Sequence, residues 1–279
     1  ARRLRGTGAV ITFDPDPQTV LDPGSPHPTL MPLEARVERL RALGVTWIWV
    51  IPFTKPFARL TATQFAEQVL VRRLRAVGLV VGEGFLFGRN RRGNMEVLRA
   101  IGARHGLRIV AVPQVRRGGL PVSSSRIRRL IAEGRLAAAR QLLGRSPELH
   151  GRVVRGAGRG RRLGFPTANL HLTSQVLPPC GVYAVRLHSI GAVRHFVPGE
   201  LIGGGVMNLG VRPTFGSGPL VCEVHVLDFS GTLRGRPVAV SLLARLRGER
   251  CFPSPEALRA QIRRDVSRAR RVFARSSSR

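Results

Sequence analysis

The chain has 279 residues, room for two modest cores, with 43% hydrophobic residues and a formal net charge of +30. No apolar run approaches the roughly 18 to 20 residues of a membrane-spanning helix, so no membrane segment is expected. The three cysteines, Cys180, Cys222 and Cys251, are widely spaced and outside any CxxC or Cys/His cluster, which excludes a zinc or disulfide scaffold.

Free thiols fit a reducing cytoplasm, and a cytoplasmic location is expected. The charge invites a nucleic-acid reading, but Lys55 is the only lysine and the arginines are scattered along the chain rather than gathered into a stripe. No zinc finger, basic zipper or RNA-binding signature accompanies them, so no specific nucleic-acid partner is expected. Non-specific, salt-sensitive adhesion to polyanions follows from charge alone. The opening ARRLRGTGAVITF has too short an apolar core for a secretory signal. Its first residue is not Met, so the chain was processed or the sequence starts inside a longer one.

From residue 8 to about 143, strands alternate with helices. Ala9 to Phe13 is a β-type run ending in the turn-rich FDPDP. Leu33, Val37, Leu40 and Leu43 share one helical face, and Gly44 stops that helix. VTWIWVI, Val45 to Ile51, is the continuous apolar kind of strand that is buried on both faces. Phe65, Val69, Leu70 and Leu74 mark a helix that Thr61 caps and Gly78 ends. A strand LVV, a Gly-rich loop, a helix with Val97, Leu98 and Ile101, the strand LRIVAVP and a helical pair complete the region. This alternation predicts an α/β domain with an open parallel sheet, over residues 1–146.

From residue 147 to 279 the texture is different. GRVVRG, GVYAVRLHSI, GGGVMNLG, CEVHVLDF and PVAVSLLARL are short β-type runs between Gly/Pro turns, predicting a small all-β antiparallel barrel. One helix follows, from about Pro255 to Phe273, with Leu258, Ile262, Val266 and Ala269 on one face.

The informative stretch is GRVVRGAGRGRRLGFPTANL, Gly151 to Leu170. Gly156, Gly158, Gly160 and Gly164 let backbone N–H groups approach phosphate oxygens, and Arg159, Arg161 and Arg162 add positive charge. It is not a Walker loop, because no GK[ST] follows and the next element reads as a strand. Thr167 and Asn169 are two apart, so an extended segment points both to one side. A hydroxyl and an amide oxygen are hard ligands suited to Mg²⁺. By spacing alone, a Thr and an Asn bonded to their own turn is the commoner outcome.

This segment resembles the signature of the riboflavin kinase family. The resemblance continues in order through GVYAV (Gly181 to Val185), MNLGVRPTF (Met207 to Phe215), CEVHVLDF (Cys222 to Phe229) and LRGERCFPSPEAL (Leu246 to Leu258). It implies a six-stranded antiparallel barrel with a C-terminal helix, and ATP and riboflavin as substrates with FMN as product. It further implies Mg²⁺ on Thr167 and Asn169, Glu223 as catalytic carboxylate, and Arg247 near the flavin. ATP phosphates would lie under Gly156, Gly158, Gly160, Arg161, Gly164, Pro166 and Thr167. Arg155 and Ala157 depart from the His and Asp that the family often has there, which is expected to alter ATP affinity without abolishing the chemistry.

The first half is similar to the FAD synthetase (FMN adenylyltransferase) module of bifunctional bacterial riboflavin kinases. The similarity lies in TFDPDP (Thr12 to Pro17), the segment ending in WIWVIPF, GEGFLFG (Gly82 to Gly88) and VSSSRIR (Val122 to Arg128). It implies a Rossmann-like nucleotidyltransferase whose chemistry needs an HxGH motif, and no HxGH occurs in the 279 residues. ARRLRG reads as the remnant of a first helix, with the first strand lacking, so the domain is expected to be incomplete. Gly84 and Asp16 also depart from the family pattern. Ser123, Ser124, Arg126 and Arg128 keep the means to bind a phosphate at a helix start. FMN production without FAD production is the expectation. The alternatives are a fully bifunctional enzyme whose native chain carries the missing start, and a basic nucleic-acid-binding protein on an old enzyme fold.

Overall fold

The computed structural model describes residues 6–156, 158–190, 200–211 and 220–277. Ala157, the Arg212 to Phe215 part of MNLGVRPTF and residues 1–5 of the ARRLRG segment lie outside the described residues. The chain divides into two compact units, Ala1–His27 with Leu40–Val122, and Pro28–Arg39 with Ser123–Arg279.

In the first unit, strand β1 (Ala9–Asp14) pairs in parallel with β2 (Trp47–Pro52), and β3 (Gly78–Gly82) in parallel with β4 (Arg108–Val112). Among the described residues these are separate two-stranded sheets, and β5 (Arg116–Arg117) and β6 (Leu120–Pro121) form a third. Between them run helices α1 (Pro17–Leu21), α2 (Leu33–Ala42, whose first turns belong to the second unit), α3 (Lys55–Ala58), α4 (Ala62–Phe65) and α5 (Met95–His105). The α/β expectation is met. Thr61 and Gln64 close a capping box at the start of α4, and such caps are worth about 1 kcal/mol. Asn94 caps α5, and Gly106, at φ +66°, takes the left-handed turn that ends it. The core holds a ladder of rings in which Phe13, Phe53, Phe57, Phe65 and Phe87 meet at centroid distances of 5.5 to 6.0 Å.

Two local expectations change. Trp47 is 64% exposed and only Ile51 of β2 is buried, in a strand that among the described residues pairs with β1 alone. The helix after Thr61 widens into a π-turn over Ala66–Arg73 and ends at Leu74, ahead of Gly78. Its reversal falls on Arg75, at φ +47°.

In the second unit, six antiparallel strands close a barrel: β7 (Glu148–Val154), β8 (Ala168–Leu172), β9 (Gly181–Ser189), β10 (Leu201–Val211), β11 (Leu220–Val226) and β12 (Pro237–Arg247). They are ordered β10-β11-β8-β7-β12-β9. Five of these strands match the β-type runs of the sequence, and the sixth, β8, falls on the PTANL segment. Alternate residues fill the interior, among them Leu149, Val153, Leu170, Tyr183, Val185, Met207, Leu209, Cys222 and Val224. Their neighbours in sequence therefore face outward. Helices α6 (Ser124–Ala132) and α7 (Leu136–Leu143) precede the barrel, and Leu136 joins its core. Thr29 bridges Gln175, so residues from the first part of the chain are also fastened here.

A single helical turn, α8 (Arg159–Arg162), interrupts the Gly/Arg stretch that reads as loop in the sequence. The C-terminal helix α9 (Pro255–Ser277) lays Val266, Ala269, Val272 and Phe273 on Val182, Ala184, Val206 and Leu246. Gly204 makes that seat possible, since a Cβ there would stand 2.7 Å from the Phe273 ring.

Candidate active site

The predicted catalytic residues meet on the outer face of the barrel. On β11, Cys222, Val224 and Val226 are buried inside while Glu223 and His225 are half-buried and face out. Register sets Glu223 directly opposite Asn169 of β8 on one side and Asn208 of β10 on the other. Residues so paired have Cβ atoms about 4.5 to 5.5 Å apart. The same level continues from Asn169 to Val154, and from Asn208 through Val182 to Arg247. Asn208 had no role in the sequence reading. Its signal was its place in MNLG, but only the strand pairing brings it to Glu223.

Glycines open the space around the two candidate metal ligands. A Cβ on Gly156 would collide with the Asn169 side-chain amide. One on Gly160 would stand 3.0 Å from Thr167 Oγ1 and collide with the Phe165 carbonyl. Gly158 and Gly164 have φ of +68° and +84°, so each occupies backbone that side chains strain to adopt. The resulting cradle has two neutral oxygen ligands, and among the described residues no group of three His, Cys, Asp or Glu could hold a metal. A hydroxyl and an amide oxygen so placed are hard donors of the kind that suit a hard cation.

The loop over this cradle is pinned at several points. Phe165 N–H donates to the Gly160 carbonyl at 2.8 Å, and Arg259 Nε from α9 donates to the Leu163 carbonyl at 3.1 Å. His225 Nδ1 lies 2.8 Å from the Pro166 carbonyl oxygen, with its ring edge-on to Phe165. Arg161 and Pro166 are exposed. Burial, helped by the Glu223 charge, pushes the Cys222 thiol up to about 12, so that sulfur is an inert part of the core.

Arg247 is engaged elsewhere. Its Nε donates to Asp265 Oδ2 at 2.9 Å, its Nη1 donates to the Gly248 carbonyl, and its guanidinium lies over the Phe252 ring. Asp265 is 1% exposed and also accepts from Gln261. The pair ties the end of β12 to α9.

Ser123, Ser124, Arg126 and Arg128 sit at the start of α6, in the second unit, whereas TFDPDP and GEGFLFG belong to the first. Ser123 caps α6 through the Arg126 N–H, and Arg128 donates to Ser125 Oγ. A second charge cluster opens β7. Burial alone would raise the Glu148 carboxyl, but the His150 ring 3.6 Å away and the Arg39 and Arg145 guanidiniums bring it down to about 2.

The chain is similar to known proteins along nearly its whole length. The sequence model of the family described as riboflavin kinase matches residues 143–273, and that of FAD synthetase matches residues 1–126. The bifunctional riboflavin kinase/FMN adenylyltransferase of Escherichia coli K12 is 37% identical over 264 residues, covering 95% of this chain and 82% of that protein. Its counterpart in Haemophilus influenzae is 35% identical over 265 residues, covering 95% and 83%. A crystal structure from Streptococcus pneumoniae, named as a macrolide-efflux protein, superposes with a TM-score of 0.83 at 30% identity, over 97% of this chain and 85% of that one. On the strength of identity along nearly its whole length, this chain belongs to the family of bifunctional riboflavin kinase/FMN adenylyltransferases.

Proposed function

We propose that the chain transfers the γ-phosphoryl group of ATP to the 5′-hydroxyl of riboflavin, with Glu223 as the general base. The observation that carries this reading is the register that lines up Asn169, Glu223 and Asn208 across three strands beside the glycine cradle. Phosphoryl transfer asks little covalent help of a protein; positioning, charge neutralisation and a base near the attacking oxygen suffice. In this scheme the riboflavin oxygen bonds to the γ-phosphorus as the bond to the β-phosphate oxygen breaks. The proton goes to the Glu223 carboxylate, and ADP leaves.

Thr167 and Asn169 are the residues that would hold Mg²⁺, whose chemistry when bound is to neutralise the triphosphate. Backbone N–H groups of the Gly156 to Gly164 stretch, with Arg161 above it, would hold the phosphates. Arg247 acts on the flavin side by fixing Phe252 and α9 rather than by a free guanidinium.

The second reading adds adenylylation of FMN to FAD, favoured by the FAD synthetase match over residues 1–126. No HxGH occurs in the 279 residues, so FAD formation is measured directly alongside FMN formation. The efflux name of the Streptococcus pneumoniae structure is not carried over, since both family matches are to flavin-nucleotide enzymes. No described helix is long and apolar enough to cross a membrane.

One experiment tests both readings. The purified chain and its Glu223→Gln variant are incubated with riboflavin, ATP and Mg²⁺, and the flavins are resolved chromatographically. FMN without FAD is the expected product of the wild type, with FMN formation at least about a hundredfold slower in the folded variant. Near-normal turnover by Glu223→Gln removes Glu223 from the role, and efficient FAD formation establishes the second reading.

A further inference from the structure

We infer that His225 is a positioning residue for the reaction: it holds the backbone in front of Thr167 at a fixed distance from Glu223. The inference rests on the kinase reading above. Backbone pairing between β8 and β11 runs Leu170 to Cys222, Asn169 to Glu223 and Ala168 to Val224, and stops there. The next pair would be Thr167 with His225. Beyond Thr167 lies Pro166, which has no N–H and cannot continue a ladder.

Where the ladder ends, a side chain takes over. His225 Nδ1 lies 2.8 Å from the Pro166 oxygen. A carbonyl only accepts, so Nδ1 carries the proton and donates, whether the ring is neutral or charged. The Phe165 ring stands at 88° to the imidazole with centroids 5.5 Å apart, an edge-to-face contact that favours this tilt of the ring. Glu223 and His225 are two residues apart on one outward face, so the strand that carries the base also carries the clamp. The clamp grips the chain one residue before Thr167, at the point where the phosphate loop enters β8. Losing it would let Thr167 drift while Glu223 stayed in place, and a misplacement of about 1 Å can cost about a hundredfold in rate.

Three substitutions in the full-length chain separate this role from simple packing. In His225→Asn the amide nitrogen falls close to where Nδ1 stands and still reaches Pro166. In His225→Gln it lies one bond further out, and His225→Leu keeps bulk without a donor. For each we would measure kcat and the KM for ATP and for riboflavin with Mg²⁺ present, together with amide hydrogen exchange across residues 163–170.

The expected result is that His225→Leu and His225→Gln lose about 10- to 100-fold in kcat with riboflavin KM nearly unchanged, while His225→Asn restores most of the turnover. Exchange at Thr167 to Asn169 rises in the first two and not in the third. Unchanged kcat in His225→Leu, an equal fall in all three, or unchanged exchange would overturn the inference. If the wild-type chain makes no FMN, the kinase reading fails, and the exchange comparison alone decides whether His225 is the clamp.

Discussion

Gly156 illustrates how the site depends on an absent atom. It has no positive φ to protect, yet a methyl group there would strike the Asn169 amide. Gly156→Ala should therefore leave the melting temperature close to that of the wild type while displacing a proposed metal ligand. FMN turnover is expected to fall by about tenfold or more, with a higher Mg²⁺ requirement, and a magnesium titration of the initial rate checks it. An unchanged titration would show that Asn169 is free to move aside. At this scale the sequence was legible where a motif carried the residue: Thr167, Asn169 and Glu223 were all proposed from it. Asn208 and His225 lie within matching runs, but a linear pattern does not show them a role, because their partners lie on other strands or across a loop. Nothing in a linear pattern announces that Arg247 pairs with Asp265.

The strands and α9 were legible as elements from alternation and from the Leu258, Ile262, Val266 and Ala269 spacing. The one-turn α8 was not, since glycine and arginine carry no helical periodicity over so short a stretch. Nor was the β2 exposure, because apolar content does not report how many neighbours a strand has. The charge cluster at the start of β7 gives a prediction at this scale. Glu148 is held at about 2, against an ordinary value of 4.5. A carboxyl depressed by folding stabilises the protein above its unfolded value, and that contribution is lost as pH falls toward the folded one. Wild-type stability should thus decline between about pH 4.5 and about pH 2 by on the order of 3 kcal/mol from this group. Glu148→Gln should be less stable at neutral pH and show a shallower acid slope, and urea denaturation at several pH values measures both. Parallel slopes in the two proteins would show that Glu148 contributes nothing.

At the scale of the molecule, the change in texture near residue 147 separates the strand-helix half from the barrel. Amphipathic spacing, however, does not say which core a helix faces. Helix α7 places Leu136, 5% exposed, in the barrel core, and the Pro28–Arg39 segment joins the same unit. A fragment of residues 143–279 should consequently be less stable than one of residues 123–279. Removing a buried leucine costs about 2 to 5 kcal/mol, which corresponds to a drop of several degrees in melting temperature. Equal melting curves would mean that α6 and α7 are ornaments on the barrel.

The closed sheet has one more consequence. The level that leaves Val154 and passes Asn169, Glu223, Asn208 and Val182 arrives on β12 at Arg247. Across the seam between β12 and β7, however, it is Gly235 whose N–H meets Val153. The circuit does not return to its start; it climbs like the thread of a screw. Stepping from Asn169 to Glu223 to Asn208 moves by one strand spacing each time, about 4.8 Å, and each step also advances along the barrel axis. The pitch of that thread follows the strand register, including the irregularities of β12 between Leu242 and Ala244 and between Arg245 and Arg247. Residues at the two ends of that level therefore stand at different heights on the barrel.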